Sequence, residues 1–435
     1  MRLRTGWRGT IVVAAAAVLL AGCAPGGGGD SGGGGQQPQS SGDFRGKTLT
    51  YLYFTDGPDE QATRDAIAAF QKETGAKVDL QIIPFADLEA SLRARLSGGQ
   101  APDVVRLADI AAFRDDLLDL APYVGKDYAD QFIDGMVTAA KSKDGGLLAV
   151  PSDLTMNGPF INLDMFQKAG IQPPTNEKPW TWDEMLANAD KARQAARAQY
   201  SFAMDRSGHR VSTVLSQFGT RLITDGKETL DQAKAEKAIG TLTGLMTGGK
   251  ADKDFWLASG SKYKGANEIF LAQATPVYLS GNWQVSQFAK ATTFNWKAIP
   301  NPCAEQCGGF PGGKFIAALA KSDTPDLAAA FIKFSTSKEQ QTALDIKAQF
   351  LPTRKDLVAQ GVSYTSRSDD MAAFLADVKR TAQENYGTNT SPAFGVAAKA
   401  VVDEMSKVVA GQEDVATAVR NIKKATDTRL KEVGE

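Results

Sequence analysis

The sequence predicts an α/β fold on two observations: strand-like and helix-like segments alternate near the start of the body, and the body is too long for one hydrophobic core. Residues 47–55 are rich in β-branched and aromatic side chains, as in a strand, and residues 62–75 carry apolar side chains at helical spacing. A second strand, a second helix and a third strand follow at residues 77–85, 88–99 and 101–109. This order is typical of a parallel sheet with right-handed helical crossovers.

The length of the chain predicts more than one core. About 390 residues remain after the first forty or so, and a single core rarely organises that many, so we expect two lobes. Without the three arginines at its start, the chain has 46 basic against 50 acidic residues, a net charge near −4. That balance, without a basic cluster, argues against a nucleic-acid partner.

The first 22 residues predict a secretory signal, because arginines precede an apolar run at residues 11–21 that is shorter than the about 20 residues needed to cross a bilayer. The run ends in Leu-Ala-Gly-Cys, which resembles the bacterial lipobox, so Cys23 is predicted to carry a diacylglyceryl group after cleavage. A plain signal peptide is the alternative. Residues 23–45 then form the lipidated cysteine and a flexible Gly/Ser linker, and the expected location is the outer face of the cytoplasmic membrane.

Two further cysteines, Cys303 and Cys307, are separated by three residues. In an oxidising compartment such a pair is most simply a local disulfide that pins a loop. A zinc site is the alternative, but it usually needs four ligands and the chain has one histidine, His209. We therefore expect no metal and no cofactor.

Polar side chains follow the predicted strands, where ligands of open α/β sheets are usually met. Asp56, Arg106 and Asp109 stand at these strand ends, although an aspartate there also commonly caps the next helix. Asp153 and Asn157 lie in an apolar extended passage, which we interpret as a crossover between lobes. Further along, residues 324–344 predict one amphipathic helix, and three helical blocks follow from about residue 370.

The order of these signals resembles the extracellular solute-binding proteins of ABC importers, in particular the carbohydrate-binding group that includes maltose-binding protein. Each matching stretch is weak alone, but the set spans nearly the whole body in family order. The stretches are AAFQKETGAKVDLQIIPF (68–85), LSGGQAPDVVRL (96–107), FINLDMFQKAGIQPP with TWDEM (160–185), AQATPVYLSGNW (272–283) and FPGGKFIAALAKS (310–322), followed by the closing amphipathic helices.

The resemblance implies a two-lobe clamshell of the periplasmic-binding-protein type II, which holds one sugar between its lobes and delivers it to membrane permease subunits. Crossovers are expected near 150–155 and 312–318, with a third soon after 351–356. Lobe 1 would comprise residues 46–152 and 315–355, and lobe 2 residues 153–314 and 356–435. The protein is expected to be a monomer and a binding protein without catalytic residues.

The resemblance also implies one site residue, Trp283, and the local sequence suggests four further candidates. Trp283 occupies the place where a tryptophan of the family stacks on a sugar ring, and an aromatic plate can bury the apolar face of a pyranose while polar groups satisfy its rim. Asn282 is expected to donate to a hydroxyl or to hold the turn, and Gly313 to let backbone approach the ligand or simply to form a turn. Trp256 and Tyr386, in polar segments, are expected to be exposed aromatic plates.

Two alternatives stay open at this level. An exported glycoside hydrolase would use two carboxyl groups about 5–9.5 Å apart, a geometry that a sequence cannot exclude. A receptor for a phosphorylated or acidic sugar, such as glycerol-phosphate, would use converging cations, for which Arg106, Lys314 and Arg354 are candidates. A neutral di- or oligosaccharide is favoured by the mixture of acidic and aromatic candidates.

Overall fold

The computed structural model describes residues 44–55 and 58–434. Cys23 and Asp56 lie outside the described residues. The first part of the body contains β1 (Thr48–Tyr53), α1 (Glu60–Thr74), β2 (Lys77–Ile82), α2 (Leu88–Ser97), β3 (Val104–Leu107), α3 (Ala121–Val124), α4 (Asp134–Ala140) and β4 (Val150–Asn162). Three short 3-10 helices accompany them, at Phe85–Asp87, Ala111–Asp116 and Tyr128–Gln131.

The middle of the chain is mainly helical, with short strands. It contains α5 (Leu163–Lys168), α6 (Trp182–Ala196), β5 (Ala203–Met204), α7 (Gly208–Gln217), β6 (Ile223–Thr224), β7 (Lys227–Glu228), α8 (Gln232–Thr247), α9 (Lys253–Trp256), α10 (Ala266–Leu271), β8 (Val277–Gly281), α11 (Gln284–Ala291) and β9 (Trp296–Ala298). The remainder comprises β10 (Pro311–Ala318), α12 (Pro325–Ser335), α13 (Lys338–Ala348), α14 (Lys355–Gln360), α15 (Ser368–Arg380), α16 (Glu384–Thr388), α17 (Phe394–Val409) and α18 (Val415–Val433).

The predicted parallel layer is confirmed. Strand β1 pairs in parallel with β2 on one side and with β3 on the other. The full sheet runs in the order β2-β1-β3-β10-β4-β8-β5, and β9 also pairs with β4. Helix α1 ends at Gly75, which adopts a left-handed backbone conformation (φ 73°) that glycine reaches without strain.

Two long strands connect the two halves of this sheet. Strands β4 and β10 lie side by side and antiparallel, and both fall where crossovers were predicted. A third passage lies next to them, because Leu351 and Leu154 exchange backbone hydrogen bonds of 3.0 Å. The passage lies slightly earlier in the chain than the third crossover, which was expected soon after residues 351–356.

The directions of the strands place the carboxyl ends of β1, β2 and β3 opposite the carboxyl ends of β5 and β8. Strand β4 is antiparallel to β10, which is antiparallel to β3, so β4 runs in the direction of β1, β2 and β3 and continues past their ends. Strand β8 is antiparallel to β4, and β5 is parallel to β8. The carboxyl ends of β5 and β8 therefore point toward the carboxyl ends of β1, β2 and β3. Pro151 of β4 lies level with the end of β3, and Asn157 lies level with the end of β8. At about 3.3 Å per residue, the two edges are roughly 20 Å apart along β4.

The buried apolar side chains of the described residues form two clusters. One covers β1, β2 and β3 and extends along the sheet, with Leu52, Val105 and Phe331 among its members. The other lies among α6, α7, α8, α17 and α18, and includes Leu215 and Val401. The first cluster also contains Phe160, Tyr278 and Phe288, so the two clusters do not divide at the lobe boundaries expected from the sequence.

One predicted helix is wrong in its extent. The expected continuous helix over residues 324–344 is two helices, α12 and α13, because Ser337 interrupts the first and caps the second by accepting a hydrogen bond from the backbone N–H of Gln340. The C-terminal region holds four helices, α15 to α18, rather than three blocks. Among the residues that the structure describes, no helix combines the length and the apolar character needed to span a membrane.

The two cysteines of the predicted loop are joined. Cys303 and Cys307 form a disulfide with a Cα–Cα separation of 4.4 Å. The bonded loop lies against the start of α6, where Cys303 O accepts the N–H of Trp182 at 3.0 Å. Because both sulfurs are engaged in this bond, they are not thiolate ligands for zinc.

Candidate functional site

Trp283 lies at the carboxyl end of β8, between the two opposed sheet edges. The strand ends at Gly281, which pairs with Asn157 of β4, and Trp283 precedes the first residue of α11. Its side chain is partly exposed. The indole lies directly over Gly281, since a Cβ at that position would stand 2.1 Å from its Cζ3 atom. A glycine at position 281 is therefore what leaves room for the indole beside the strand.

Arg210 covers part of the Trp283 indole. Its guanidinium carbon lies 4.3 Å from the ring centroid, a cation–π contact. Its Nε donates to Asp205 at 3.0 Å, and its Nη1 donates to Asn157 Oδ1 at 2.5 Å. Asp205 follows β5 and also accepts from Ser280 at 2.8 Å. The charge of the arginine is thus paired, and the tryptophan has a fixed orientation.

Asn157 positions the start of α7 rather than projecting freely into the gap. Its Nδ2 donates to Thr213 Oγ1 at 2.8 Å and to the backbone oxygen of His209 at 3.2 Å, and only 3 % of the residue is exposed.

Burial, together with the charges of Arg210 and Lys314, lowers the pKa of His209 to about 4. The imidazole is therefore neutral at pH 7.

Asn282 holds the turn. Its Oδ1 accepts the backbone N–H of Met156 at 2.9 Å, its Nδ2 donates to the backbone oxygen of Gln349 at 3.0 Å, and the residue is fully buried. Of the two roles expected for this residue, the contacts correspond to the structural one. The side chain ties β4, the third crossover passage and the Trp283 turn together.

Arg106 and Asp153, expected to face a ligand, lie inside the protein. Each is 1 % exposed. The guanidinium donates to Asp153 Oδ2 at 2.9 Å, to Asp59 Oδ2 at 3.1 Å and to the backbone oxygen of Phe54 at 2.8 Å. Buried charges need such partners, and here they join β1, β3 and β4 beneath the sheet edge. The geometry corrects the expected position of both residues.

Asp109 and Gly313 have structural roles, which were the alternatives to ligand contact that their sequence context allowed. Asp109 Oδ1 accepts the backbone N–H of Ala112 at 3.2 Å, so it caps the 3-10 helix that follows β3. At Gly313 a Cβ would come within 2.8 Å of Met136 Cε and 2.9 Å of the Asp153 backbone oxygen. The glycine is required by the packing of the protein itself.

The expectation that Trp256 and Tyr386 are exposed plates is wrong. Trp256 is 1 % exposed, because Asp252 caps the short helix α9 and directs its last residue into the second core. Tyr386 is 3 % exposed and packs on Gly135 of α4, where a Cβ would stand 2.6 Å from the tyrosine Cβ. Both segments are polar in sequence, but tertiary packing buries their aromatic residue.

Phe85 is an exposed aromatic residue at the opposite edge that the sequence did not single out. It follows β2, is 56 % exposed, and its ring centroid lies 4.8 Å from that of Phe54. Its strand ends at the edge that faces β8 and Trp283. The only sequence signal is a large apolar residue directly after a proline at a strand end.

The fold agrees with comparisons to known proteins. Residues 65–368 match the model of the bacterial extracellular solute-binding protein family. The match covers more than half of the chain. The chain belongs to this family.

The chain is also similar to individual sugar-binding proteins, in sequence and in fold. The chain is 25 % identical over 331 residues to a diacetylchitobiose binding protein of Streptomyces coelicolor, covering 72 % of this chain and 75 % of that one. Two solved structures share its fold: the cyclic α-maltosyl-1,6-maltose binding protein of Arthrobacter globiformis (TM-score 0.75, 19 % identity, 88 % of this chain and 99 % of that one) and the sugar-binding protein MalE of Xanthomonas citri (TM-score 0.73, 21 % identity, 89 % and 98 %). The fold is the two-lobe clamshell.

Family membership settles the class of activity. The relatives are sugar-binding components of ABC transporters, and members of the family are extracytoplasmic. This chain is accordingly a binding protein and not an enzyme, and the glycoside hydrolase alternative is set aside. Among the described residues, no group of three or more histidine, cysteine or acidic side chains is arranged to hold a metal ion.

Proposed function

We propose that this protein captures a neutral oligosaccharide in the gap between its lobes and presents it to the permease of an ABC importer. One observation carries the proposal: Trp283 is partly exposed at the carboxyl end of β8, opposite the carboxyl ends of β1, β2 and β3. A flat indole suits the C–H face of a sugar ring, and polar groups beside it suit the hydroxyls. The relatives that bind diacetylchitobiose and cyclic maltosyl-maltose support this ligand class.

The distribution of cations favours a neutral ligand over a charged one. Arg106 is buried between two carboxylates, and Arg354 donates to Gln131 Oε1 at 2.7 Å and to the Thr336 backbone oxygen at 3.3 Å. Arg210 lies next to Trp283, and its charge is paired with Asp205 at 3.0 Å. A phosphate or carboxylate would need cations whose charge is not already compensated.

The lobes we propose are residues 46–152 with 315–355, and residues 153–314 with 356–435. Each contributes one set of strand ends to the gap, and β4 and β10 connect the two sets. A ligand that contacts both sets binds the closed form better than the open form, which is the condition for a ligand to shift the population. We propose that the closed monomer is the form the permease recognises.

A thermal-shift screen over neutral, phosphorylated and acidic sugars tests the ligand class. A neutral di- or oligosaccharide at 100 times its dissociation constant is expected to add about 2.7 kcal/mol to the free energy of unfolding. Stabilisation by phosphorylated or acidic sugars alone would contradict the neutral assignment. The absence of any stabilising sugar would contradict the proposal as a whole.

We also propose that the protein is a lipoprotein anchored through Cys23 to the outer face of the cytoplasmic membrane. The Leu-Ala-Gly-Cys sequence after an apolar run supports this. Wild-type protein is expected in the membrane fraction of bacterial cells, and Cys23→Ser protein in the soluble fraction, because stable anchoring needs two or more acyl chains. Equal partition of the two proteins between the fractions would contradict the anchor.

A further inference from the structure

A buried pair of polar side chains holds β4 beside the Trp283 site: Asp377 of α15 and Asn301 of the loop between β9 and β10. We propose that both are positioning residues for sugar binding, which set the orientation of the Trp283 indole without touching the ligand. The inference rests on the proposed function, and it adds to the site a carboxyl group whose charge controls the affinity for sugar.

Asn301 fills a gap in the pairing of β4. Along one edge of β4, the pairing with β10 reaches Met156 and the pairing with β9 begins at Phe160. Asn157 lies between them, and its backbone oxygen accepts a hydrogen bond from Asn301 Nδ2 at 2.7 Å. A buried backbone oxygen needs a donor, and here a side-chain amide takes the place of a neighbouring strand. The Asn301 amide therefore fixes this part of β4.

Asp377 holds Asn301 by two hydrogen bonds. Its Oδ2 accepts the backbone N–H of Asn301 at 2.9 Å and Asn301 Nδ2 at 2.8 Å, and both residues are fully buried. Gly309 leaves room for this arrangement, since a Cβ there would stand 3.0 Å from the Asn157 backbone oxygen and 3.1 Å from Asn301 Nδ2. One carboxyl group thereby orients the amide that holds β4.

Asn157 connects this pair to the Trp283 indole. Its Oδ1 accepts from Arg210 Nη1 at 2.5 Å, and the Arg210 guanidinium lies over the indole. Asn157 also pairs with Gly281, beside which the indole lies. A shift of Asn157 therefore moves both the arginine on the ring and the glycine next to it.

The charge of Asp377 changes near neutral pH. Its Oδ1 accepts no hydrogen bond from any described residue, and Arg380 Nη1 stands 3.7 Å away from it. Burial raises the pKa of Asp377 to about 6, although the hydrogen bonds from Asn301 and the charge of Arg380 oppose this rise. The carboxyl group is therefore ionised at about pH 7.5 and mostly protonated at about pH 5.

Among the described residues, Arg380 is the charged group that acts on Asp377. Residues 154–162 of β4 carry no ionisable side chain, and the loop after β9 faces the carboxyl group with the uncharged Asn301. His209 of α7 has a pKa of about 4 and stays neutral above pH 5. The charged side chains on β9 and α14, which also pack against α15, act elsewhere: Lys297 on Asp370, Lys355 on Asp134, and Asp356 on Arg354.

Ionisation of Asp377 is expected to tighten sugar binding while it destabilises the fold. A carboxylate accepts N–H groups more strongly than a neutral carboxyl group does, so Asn301 is held best above pH 6. The folded pKa of about 6 exceeds the ordinary value of 3.8, so the group's contribution to stability is complete below pH 3.8 and is lost as the pH rises through 6. Between these limits affinity and stability change in opposite directions, which a purely structural role would not produce.

Titration calorimetry at about pH 5 and about pH 7.5 tests the inference, with maltose, maltotetraose, diacetylchitobiose and cyclic maltosyl-maltose as probes. For the probe that binds best, wild-type affinity is expected to fall about threefold at the lower pH. Asp377→Asn is expected to bind about threefold more weakly than the wild type at about pH 7.5, with no further change at the lower pH. Its free energy of unfolding at about pH 7.5 is expected to be no lower than that of the wild type, because the amide removes a buried charge.

Asn301→Ala removes the amide that holds Asn157, and it is expected to weaken binding about tenfold. Asp370→Asn is the matched control, because Asp370 is a buried carboxyl group on the same helix that accepts the backbone N–H of Ala298 at 2.7 Å instead. It is expected to keep the wild-type affinity at about pH 7.5 and its decrease at about pH 5.

A wild-type affinity that is equal at the two pH values would overturn the inference and leave the proposed function intact. The same holds for an Asp377→Asn protein that binds as the wild type does. An Asp370→Asn protein as weak as Asp377→Asn would also overturn it, because the loss would then follow from any buried carboxyl group of α15. If none of the probes binds the wild type, the proposed function and the inference both fail.

Discussion

Replacing Arg106 by methionine is expected to lower the free energy of unfolding by about 3–5 kcal/mol, because the change leaves Asp153 and Asp59 buried without their counter-charge. Methionine keeps much of the side-chain length, so the effect isolates the charge rather than the volume. The measurement is the midpoint and slope of urea unfolding for wild type and variant.

Arg64→Met is the matched control for this experiment. Arg64 pairs with Glu60 one helical turn away, and both side chains are 49 % exposed. Exposed pairs contribute about 0–1 kcal/mol, so this variant is expected to unfold almost as the wild type does. If Arg106→Met cost less than about 1 kcal/mol, or no more than Arg64→Met, the buried network would not have the structural role assigned to it.

Replacing Trp283 by alanine is expected to weaken sugar binding about ten- to a hundredfold. Burial of an aromatic side chain contributes about 1.5–3 kcal/mol, and each 1.4 kcal/mol corresponds to a factor of ten in affinity. Stability is expected to change little by comparison, because the indole is partly exposed and covers a glycine and an arginine. Titration calorimetry with the sugar that emerges from the thermal-shift screen measures the loss.

Tyr123→Ala provides the matched aromatic control, since Tyr123 is 38 % exposed on α3. Just before α3, the backbone N–H of Leu118 donates to the backbone oxygen of Ala318, which pairs with the first residue of β3. Tyr123 therefore follows the amino end of β3, opposite the carboxyl ends of the strands. Its loss is expected to leave affinity unchanged. A Trp283→Ala protein that binds as tightly as the Tyr123→Ala protein would remove Trp283 from the site.

The sequence predicted the elements whose signals are local. The periodicity of the side chains predicted the alternation of β1, α1, β2, α2 and β3. The residue types at Thr181 and Glu184 predicted the cap of α6, and these residues exchange the two hydrogen bonds expected of a capping box. Ser337 carried a cap signal as well, but the amphipathic pattern on both sides of it obscured the break between α12 and α13.

Burial of individual polar and aromatic residues could not be predicted in the same way. Arg106 is a charged residue within the apolar strand β3, and Trp256 stands in a segment with polar residues on both sides; only the assembled sheet and cores show that both are enclosed. Arg210 was not anticipated at all, because its place over Trp283 depends on two strand pairings that bring together residues 73 positions apart. No local pattern in the segment around Arg210 signals that contact.

A crystal structure of the protein with the sugar that stabilises it most tests the central claim directly. We expect a sugar ring stacked on the Trp283 indole, between the end of β8 and the ends of β1, β2 and β3, with its glycosidic bonds intact. A sugar bound elsewhere on the protein, with the indole uncovered, would contradict the account.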